Sequence, residues 1–329
     1  MFRNAVKTGF RTIIYIFLAA VLAVVVIAGE QSCFAADEDT VPVCYTTEEA
    51  GKSLRDAMKQ RQGTVVICLV TDTAASDSEN LINEIFEQAL VHTGDPCEGD
   101  YLKFQYGTCD ASARPASAGD EKAVLITYAI SYYDTSEQEQ QTEEKIAEII
   151  DSLELDDKTD EEKVRAVYDY LCENVDYDYD NAANEDYLLK RTAYAALIDG
   201  KAVCQGYSAA LYRLLLEAGI DNRIIFGTGI TSAGDREDHT WNIVKLGDSY
   251  YNVDVTKGDE LENDDCYLAG SGNFDEDHIR SEEYSSEDFT SAYEISGSDY
   301  GEGAEGSFDC IGSFLLHIRM NFQRLLEAL

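Results

Sequence analysis

Basic residues are scarce in this chain of 329 residues: 25 Lys and Arg stand against 64 Asp and Glu, a formal net charge of −39. That balance excludes nucleic acid as a partner, because phosphate binding needs a basic footprint. Histidine is almost as sparse, with four residues, so any imidazole base must come from His92, His239, His278 or His317. No two cysteines are spaced C-x-x-C, and no Cys/His group has zinc-finger spacing, so neither a metal nor another cofactor is expected. The acidity does not imply disorder, since hydrophobic residues make up 45% of the chain and suffice for ordinary cores. The length suits roughly two domains of about 100–200 residues once a leader is set aside.

The first 35 residues read as a targeting segment. Arg3, Lys7 and Arg11 precede an uncharged apolar run from Ile13 to Ala28, and small residues follow at Cys33, Ala35 and Ala36. Cleavage after Ala35 fits the small-residue rule of a signal peptide. The run is long for a cleaved leader, so an N-terminal membrane anchor is the other reading. Both place the bulk of the chain outside the cell, secreted or held at the surface. Export permits disulfides, and Cys97 and Cys109 flank a loop that one could close.

Residues 40–155 alternate helical and strand patterns and are expected to form a smaller accessory α+β domain. Thr46-x-x-Glu49 opens a helix with Ala50, Leu54, Ala57 and Met58 inward. Thr64–Val70 reads as a buried strand, 101–106 and 123–133 as further strands, and the Ala/Ser/Gly-rich stretch between those two as a loop. A helix from Ser136 buries Ile146, Ile149, Ile150 and Leu153. His92 falls in a polar loop and is expected to be exposed. Thr159-x-x-Glu162 starts the next helix, whose stripe is Val164, Val167, Tyr168, Leu171, Cys172 and Val175. The Asp176-Tyr-Asp178-Tyr-Asp180 run begins like a calcium loop, but Asn181 stands where Gly is needed and Tyr187 where Glu is needed. It is read as a solvated acidic loop.

Chemistry concentrates in the next stretch. Leu211, Leu214, Leu215 and Ala218 mark a helix closed by Gly219, and counting back puts Cys204 at or beside its N-terminus. There the helix dipole and free N–H groups stabilise a thiolate and can bind an oxyanion; a buried structural cysteine at a tight turn is the plainer alternative. Downstream, Thr240–Leu246 and Ser249–Val255 alternate about the two-residue turn Gly247-Asp248. That turn sets Leu246 opposite Ser249, Val244 opposite Tyr251 and Trp241 opposite Asp254. One face then carries Val244, Leu246, Tyr251, Val253 and Val255 and reads as core. The other, read as the non-core face, carries His239, Trp241, Asn252 and Asp254, with His239 and Asp254 diagonal neighbours within side-chain reach. A helix-start cysteine with a histidine oriented by an aspartate is the set that thiol catalysis needs. His278, in an acid-rich segment, and His317, in a terminal helix, compete poorly as the base.

The stretches Thr192-Ala-Tyr194-Ala-Ala-Leu197 through Val203-Cys204-Gln-Gly-Tyr207, then His239-Thr-Trp241-Asn242, then Tyr251-Asn-Val-Asp254-Val-Thr256 resemble the transglutaminase-like superfamily, in particular its exported bacterial branch. The resemblance spans about 160–285. It implies a papain-like α+β core with the cysteine helix packed on an antiparallel sheet. It also implies Cys204 as nucleophile, His239 as base and acid, and Asp254 as the orienting residue. Reaction would pass through a thioester on a protein or peptide amide, resolved by water or an amine; some relatives are inactive. Lys257 departs from the aromatic residue usual after Asp-Val-Thr. Gln205, Tyr194 and Trp241 are candidates for the oxyanion site or the cleft wall, with packing over the hairpin the competing role for Trp241.

The expected catalytic domain is therefore 156–285, followed by an acidic Gly/Ser linker over 286–309. An amphipathic helix over 310–329 has Ile311, Phe314, Leu315, Ile318, Phe322, Leu325, Leu326 and Leu329 on one stripe. It would lie on a membrane surface, meet a partner, or dock on its own domain. The expected activity is that of an exported cysteine-dependent acyl-transfer enzyme, either a peptidase or amidase or a protein-glutamine transferase. A catalytically silent surface module that binds peptide or wall polymer is the alternative.

Overall fold

A computed structural model describes residues 31–32, 41–231, 233–261 and 264–301. The expected leader, but for Gln31 and Ser32, and the expected C-terminal helix lie outside the described residues. The chain divides into two compact units, one of residues up to 58 with 62–89 and 108–130, the other of 59–61, 90–107 and 131 onward.

The smaller unit is built on a five-stranded sheet of order β1-β4-β5-β3-β2. Its strands are β1 (Gln31–Ser32), β2 (Val43–Cys44), β3 (Thr64–Val70), β4 (Tyr106–Ala118) and β5 (Glu121–Tyr132). Helices α1 (Thr47–Lys59) and α2 (Glu79–Ala89) accompany it. The inward residues of α1 are Ala50, Leu54, Ala57 and Met58, as the helical spacing predicts. The two helices touch at Gly51, where a Cβ would stand 2.4 Å from that of Gln88. β4 corrects a sequence expectation. The stretch read as a loop is a long strand, mostly exposed along its length, so it lacks an apolar signature and is held by its backbone ladder. Residues 101–105 are likewise no strand: α3 (Asp100–Lys103) takes the first three of them, and β4 starts only at Tyr106.

The larger unit contains a four-stranded sheet of order β10-β9-β8-β11. Its strands are β8 (Asn222–Ile230), β9 (Arg236–Leu246), β10 (Ser249–Val253) and β11 (His278–Arg280), all antiparallel to their neighbours. A short parallel pair, β6 (Asp176–Tyr177) and β7 (Lys201–Ala202), lies apart from it. Helices α4 (Ser136–Leu153), α5 (Asp160–Asn174) and α6 (Cys204–Glu217) share one core with Ile224, Val244, Leu246, Val253 and Val255. Both α4 and α5 begin in capping boxes, on Thr135/Gln138 and Thr159/Glu162. This architecture is α+β, a cysteine-bearing helix packed on an antiparallel sheet.

Two expected boundaries move. Helix α4 falls within the expected accessory domain 40–155, yet Ile146 and Ile149 join the core of the larger unit; periodicity says that a stripe is buried but not against which sheet. The first part of the expected linker is folded. It holds α9 (Glu287–Ala292), which follows α7 (Val255–Leu261) and α8 (Ser271–Phe274), and Phe289, Tyr293 and Ile295 pack on a second core. Backbone bonds from Tyr250 N to Glu294 O and from Ser296 N to Tyr250 O tie the segment to the free edge of β10, which removes an exposed strand edge. That second core, formed by Ile225, Trp241, Ile243, Tyr250, Cys266, Ala269, Phe274 and Tyr284, covers the sheet face expected to be non-core. Cys97 and Cys109, which could have closed a loop, are both free thiols.

Candidate active site

Cys204 is the first residue of α6, and Val203 is an N-cap without a side-chain bond, so the first turn keeps free N–H groups at the positive end of the helix. The approach to this turn is tightly braced. Val203 N donates to Lys190 O, and β6 and β7 pair just before it. Gly206 lets this strap close in, since a Cβ there would stand 2.6 Å from Ala202 Cβ and 2.9 Å from Thr192 O. Lys190 itself is 1% exposed, and its ammonium donates to the carbonyls of Asn181, Ala182 and Asn184 at 2.7–2.8 Å. The acidic run itself keeps Asp176 and Asp180 exposed, as expected of a solvated loop, and the residues just after it are ordered around this lysine. Asp178 of the run is buried and accepts from Asn181.

The hairpin takes the register read from its two-residue turn, with Ser249 opposite Leu246 and Tyr251 opposite Val244. Asp254 follows β10 directly, and His239 and Asp254 meet, His239 Nε2 lying 2.6 Å from Asp254 Oδ2. That contact leaves Nδ1 of the ring free of the carboxylate, and both His239 and Thr240 act at close range on the thiol of Cys204. His239 and Asp254 are 8% and 1% exposed, whereas Cys204 keeps part of its surface accessible.

Electrostatics follow from this contact. Burial alone would raise the Cys204 thiol, but the hydrogen bond and charge of His239, with the bonds from Thr240, hold it below the ordinary thiol range. Burial would lower His239, yet the Asp254 carboxylate and the neighbouring sulfur lift it well above the ordinary imidazole value. Asp254 is held far below the carboxylate range, since the attraction of His239 and the bond from His278 outweigh burial. A thiolate–imidazolium pair backed by a carboxylate can attack a carbonyl and then supply a proton to the leaving group.

His278 was expected to stand apart, and the structure places it against Asp254. Its Nε2 lies 3.0 Å from Asp254 Oδ2 and its Nδ1 lies 2.7 Å from Asp277 Oδ1. Sequence reasoning missed it because β11 pairs with β8 rather than with the hairpin, and no local spacing announces that pairing. Lys257, the departure from the superfamily pattern, also belongs here: its N–H donates to Asp254 Oδ1 and its ammonium pairs with Asp277 at 2.9 Å.

The other candidates separate clearly. Trp241 is 1% exposed; its indole packs beside His278 and Phe274 and donates to Asn252 Oδ1, so it forms no cleft wall. The Gln205 side chain donates to Phe104 O at 2.6 Å, an anchoring bond that leaves no evident oxyanion role. Tyr194 precedes the π-helical turn Ala195–Asp199 and is half-buried. His92 is not an exposed loop residue: it bridges Tyr212 Oη and Asp221 Oδ1 at 3.0 and 2.9 Å. His239, Asp254 and His278 bring three ligand-type atoms within 4.8 Å, as do Cys97, Glu139 and Glu143. In both groups hydrogen bonds and ion pairs already account for the arrangement, and neither is read as a metal site.

Residues 145–255, which run from α4 through the cysteine helix to the hairpin, match the transglutaminase-like superfamily. This part of the chain is a transglutaminase-like domain. Kyphoscoliosis peptidase of Mus musculus is 27% identical over 175 residues, half of this chain and 26% of that protein. The Homo sapiens protein of the same name is 30% identical over 125 residues, 35% of this chain and 18% of that protein. The chain therefore spans about a quarter or less of the length of these curated relatives. A solved structure titled "Crystal structure of a TGase" is similar at 15% identity and a TM-score of 0.31, covering 66% of this chain and 59% of that one. The transglutaminase-like domain extends further back than the expected start at 156, because α4 belongs to both the family match and the core.

Proposed function

We propose that the transglutaminase-like domain is a cysteine-dependent acyl-transfer enzyme acting on protein or peptide amides, exported through residues 1–35. The observation that carries this reading is the half-buried Cys204 at the start of α6 beside His239, whose Nε2 lies 2.6 Å from the buried Asp254 carboxylate. In this reading the Cys204 thiolate attacks the amide carbonyl carbon. The His239 imidazolium gives its Nδ1 proton to the departing amine, leaving a thioester on Cys204. Neutral His239 then takes a proton from water or an acceptor amine, which attacks the thioester and restores the thiol. Asp254 keeps Nε2 protonated and Nδ1 aimed at the sulfur. The N–H of Cys204 at the helix start is the group best placed to meet the oxyanion. The peptidase names of the relatives favour water as acceptor. The export part of the reading rests on the pattern of Arg3, Lys7, Arg11 and Ile13–Ala28 alone.

Iodoacetamide labelling at mildly acidic pH tests the nucleophile. Cys204 is expected to react faster in the folded protein than in the urea-unfolded chain; equal rates would leave a silent peptide-binding module as the reading. Peptide cleavage measured against incorporation of an amine donor, each compared with Cys204→Ala, then separates hydrolase from transferase.

A further inference from the structure

Asp254 Oδ2 accepts from two imidazoles, His239 at 2.6 Å and His278 at 3.0 Å. The fold makes room for both. His239 on β9 lies opposite Gly227 of β8, and His278 on β11 lies opposite Gly229 of the same strand. Opposite residues share a face, so both rings and both glycines face the second core. The glycines leave the central strand bare between them: a Cβ on Gly229 would stand 3.1 Å from His239 Cβ, and one on Gly227 would stand 2.2 Å from Ile279 O of β11 and 2.9 Å from the Trp241 ring. The two imidazoles thus lean across β8 with ring centroids 5.7 Å apart.

His278 is itself fixed on every side. Its ring stacks on Phe274 at 3.7 Å and meets the Trp241 edge-on at 5.1 Å. Its Nδ1 faces Asp277 Oδ1 at 2.7 Å and Phe274 O at 3.1 Å, and Lys257 pairs with the other Asp277 oxygen. Both ring nitrogens therefore face acceptor oxygens. The remaining Asp254 oxygen takes the Lys257 N–H. The titratable and charged groups facing this pair of residues are His239 and Cys204 on one side and Asp277 and Lys257 on the other. The Cys266 thiol and the Tyr168 phenol lie at the flank of the carboxylate.

We propose that His278 is a positioning residue of the thiol site, holding the Asp254 carboxylate in the one rotamer that aims His239 Nδ1 at Cys204. This rests on the reading of Cys204 and His239 as a thiol–imidazole pair. The Lys257–Asp277–His278 chain is the anchor of that carboxylate, and Lys257 serves it in place of an aromatic cleft residue. Without His278 the carboxylate keeps His239 on Oδ2 and only the longer Lys257 N–H bond on Oδ1, and a misplacement of about 1 Å lowers reactivity roughly 100-fold.

The test is the iodoacetamide rate of Cys204 against pH in the full chain for wild type, His278→Phe, His278→Gln and Asp277→Asn, with low-field proton NMR on each. His278→Phe keeps the ring stacked on Phe274 and loses both donors. Its acidic limb of alkylation is expected to move to higher pH, with a roughly 10–100-fold lower rate at mildly acidic pH. His278→Gln, which can still donate to Asp254, is expected to recover part of that rate, and Asp277→Asn to show a smaller loss than His278→Phe. Two low-field N–H resonances are expected in wild type and one, displaced, in His278→Phe. A folded His278→Phe with the wild-type limb and rate overturns the proposal; if that variant does not fold, a His278→Gln rate equal to wild type with an unmoved His239 resonance supports it, and a rate no better than Cys204 in urea overturns it. A wild-type Cys204 that reacts no faster than in urea, with both resonances present, overturns the thiol-pair reading itself and this proposal with it.

Discussion

The larger unit holds two buried ionic networks. Around Arg61, the guanidinium pairs with Asp134 at 2.6 Å and with Glu139 at 2.6 Å, and Arg213 pairs with Glu139 at 2.8 Å and with Glu143. Tyr101 donates to Glu139, and its ring lies under both guanidinium groups. Around Asp254, the partners are His239, His278 and, through the imidazole, Cys204. Both networks perturb their carboxylates: burial lifts Asp134 despite Arg61, whereas the two arginines hold Glu139 low against its own burial.

The difference lies in which charges can change. An arginine does not give up its proton in a protein, so the first network keeps one charge state and anchors α4 to α6. The second is made of a thiol and imidazoles, groups whose ordinary titration lies nearest neutral pH, and its cysteine is a half-buried residue at a helix start. Perturbed carboxylates alone therefore do not mark a reactive centre. A transferable proton and an accessible nucleophile do.

Mutations can break the comparison or sharpen it. The largest effect is expected from Cys204→Ala, with acyl transfer falling on the order of 10⁴-fold or more and the urea midpoint retained. A variant that unfolds instead would return Cys204 to a packing role. Arg213→Met should act in the opposite sense. Removing one of the two arginines that hold the buried Glu139 should cost about 3–5 kcal/mol in urea unfolding, while the alkylation rate of Cys204 in the folded fraction stays unchanged. Gly229→Ala is expected to press on His239 and lower turnover roughly 10–100-fold at a stability cost of about 1–3 kcal/mol, read from kcat and from thermal unfolding of the same sample.

The smallest effect is a displacement of the pH profile. Cys204 is lowered, so its thiolate survives as pH falls below the ordinary thiol range. His239 is raised, so the imidazolium survives as pH rises above the ordinary histidine range. Alkylation should therefore hold a plateau between these two limits, and in His239→Gln the plateau should give way to a single rise at higher pH. The linked stability has the same sign: the contribution of His239 is complete below its unfolded value and is lost as pH rises through its folded one. That of Asp254 is present above the ordinary carboxylate value and is lost as pH falls through its depressed one.

Much of the site was legible because its geometry is local. The stripe of Leu211, Leu214 and Leu215 with the stop at Gly219 locates the start of α6, and Cys204 stands there. The Gly247-Asp248 turn leaves one register for the hairpin, and that register puts His239 beside Asp254. Less legible were features whose partners are remote. The exposed strand β4 carries no apolar alternation to read. The face of Trp241 looked open because Phe274, Tyr284 and Phe289, which cover it, follow after irregular connections. Lys190 gives no sign in sequence that it fills a ring of carbonyls.

The sequence by itself therefore determined the cysteine at a helix start and the histidine–aspartate pair on one hairpin, since a two-residue turn and a helical period act over a few residues. Tertiary structure alone decided that α4 joins the core of the larger unit and that both sheet faces are covered. It also decided that His278, 24 residues beyond Asp254, shares its carboxylate. Those outcomes depend on which packing among many buries the same apolar stripes, a choice made by the whole chain and written in no single stretch of it.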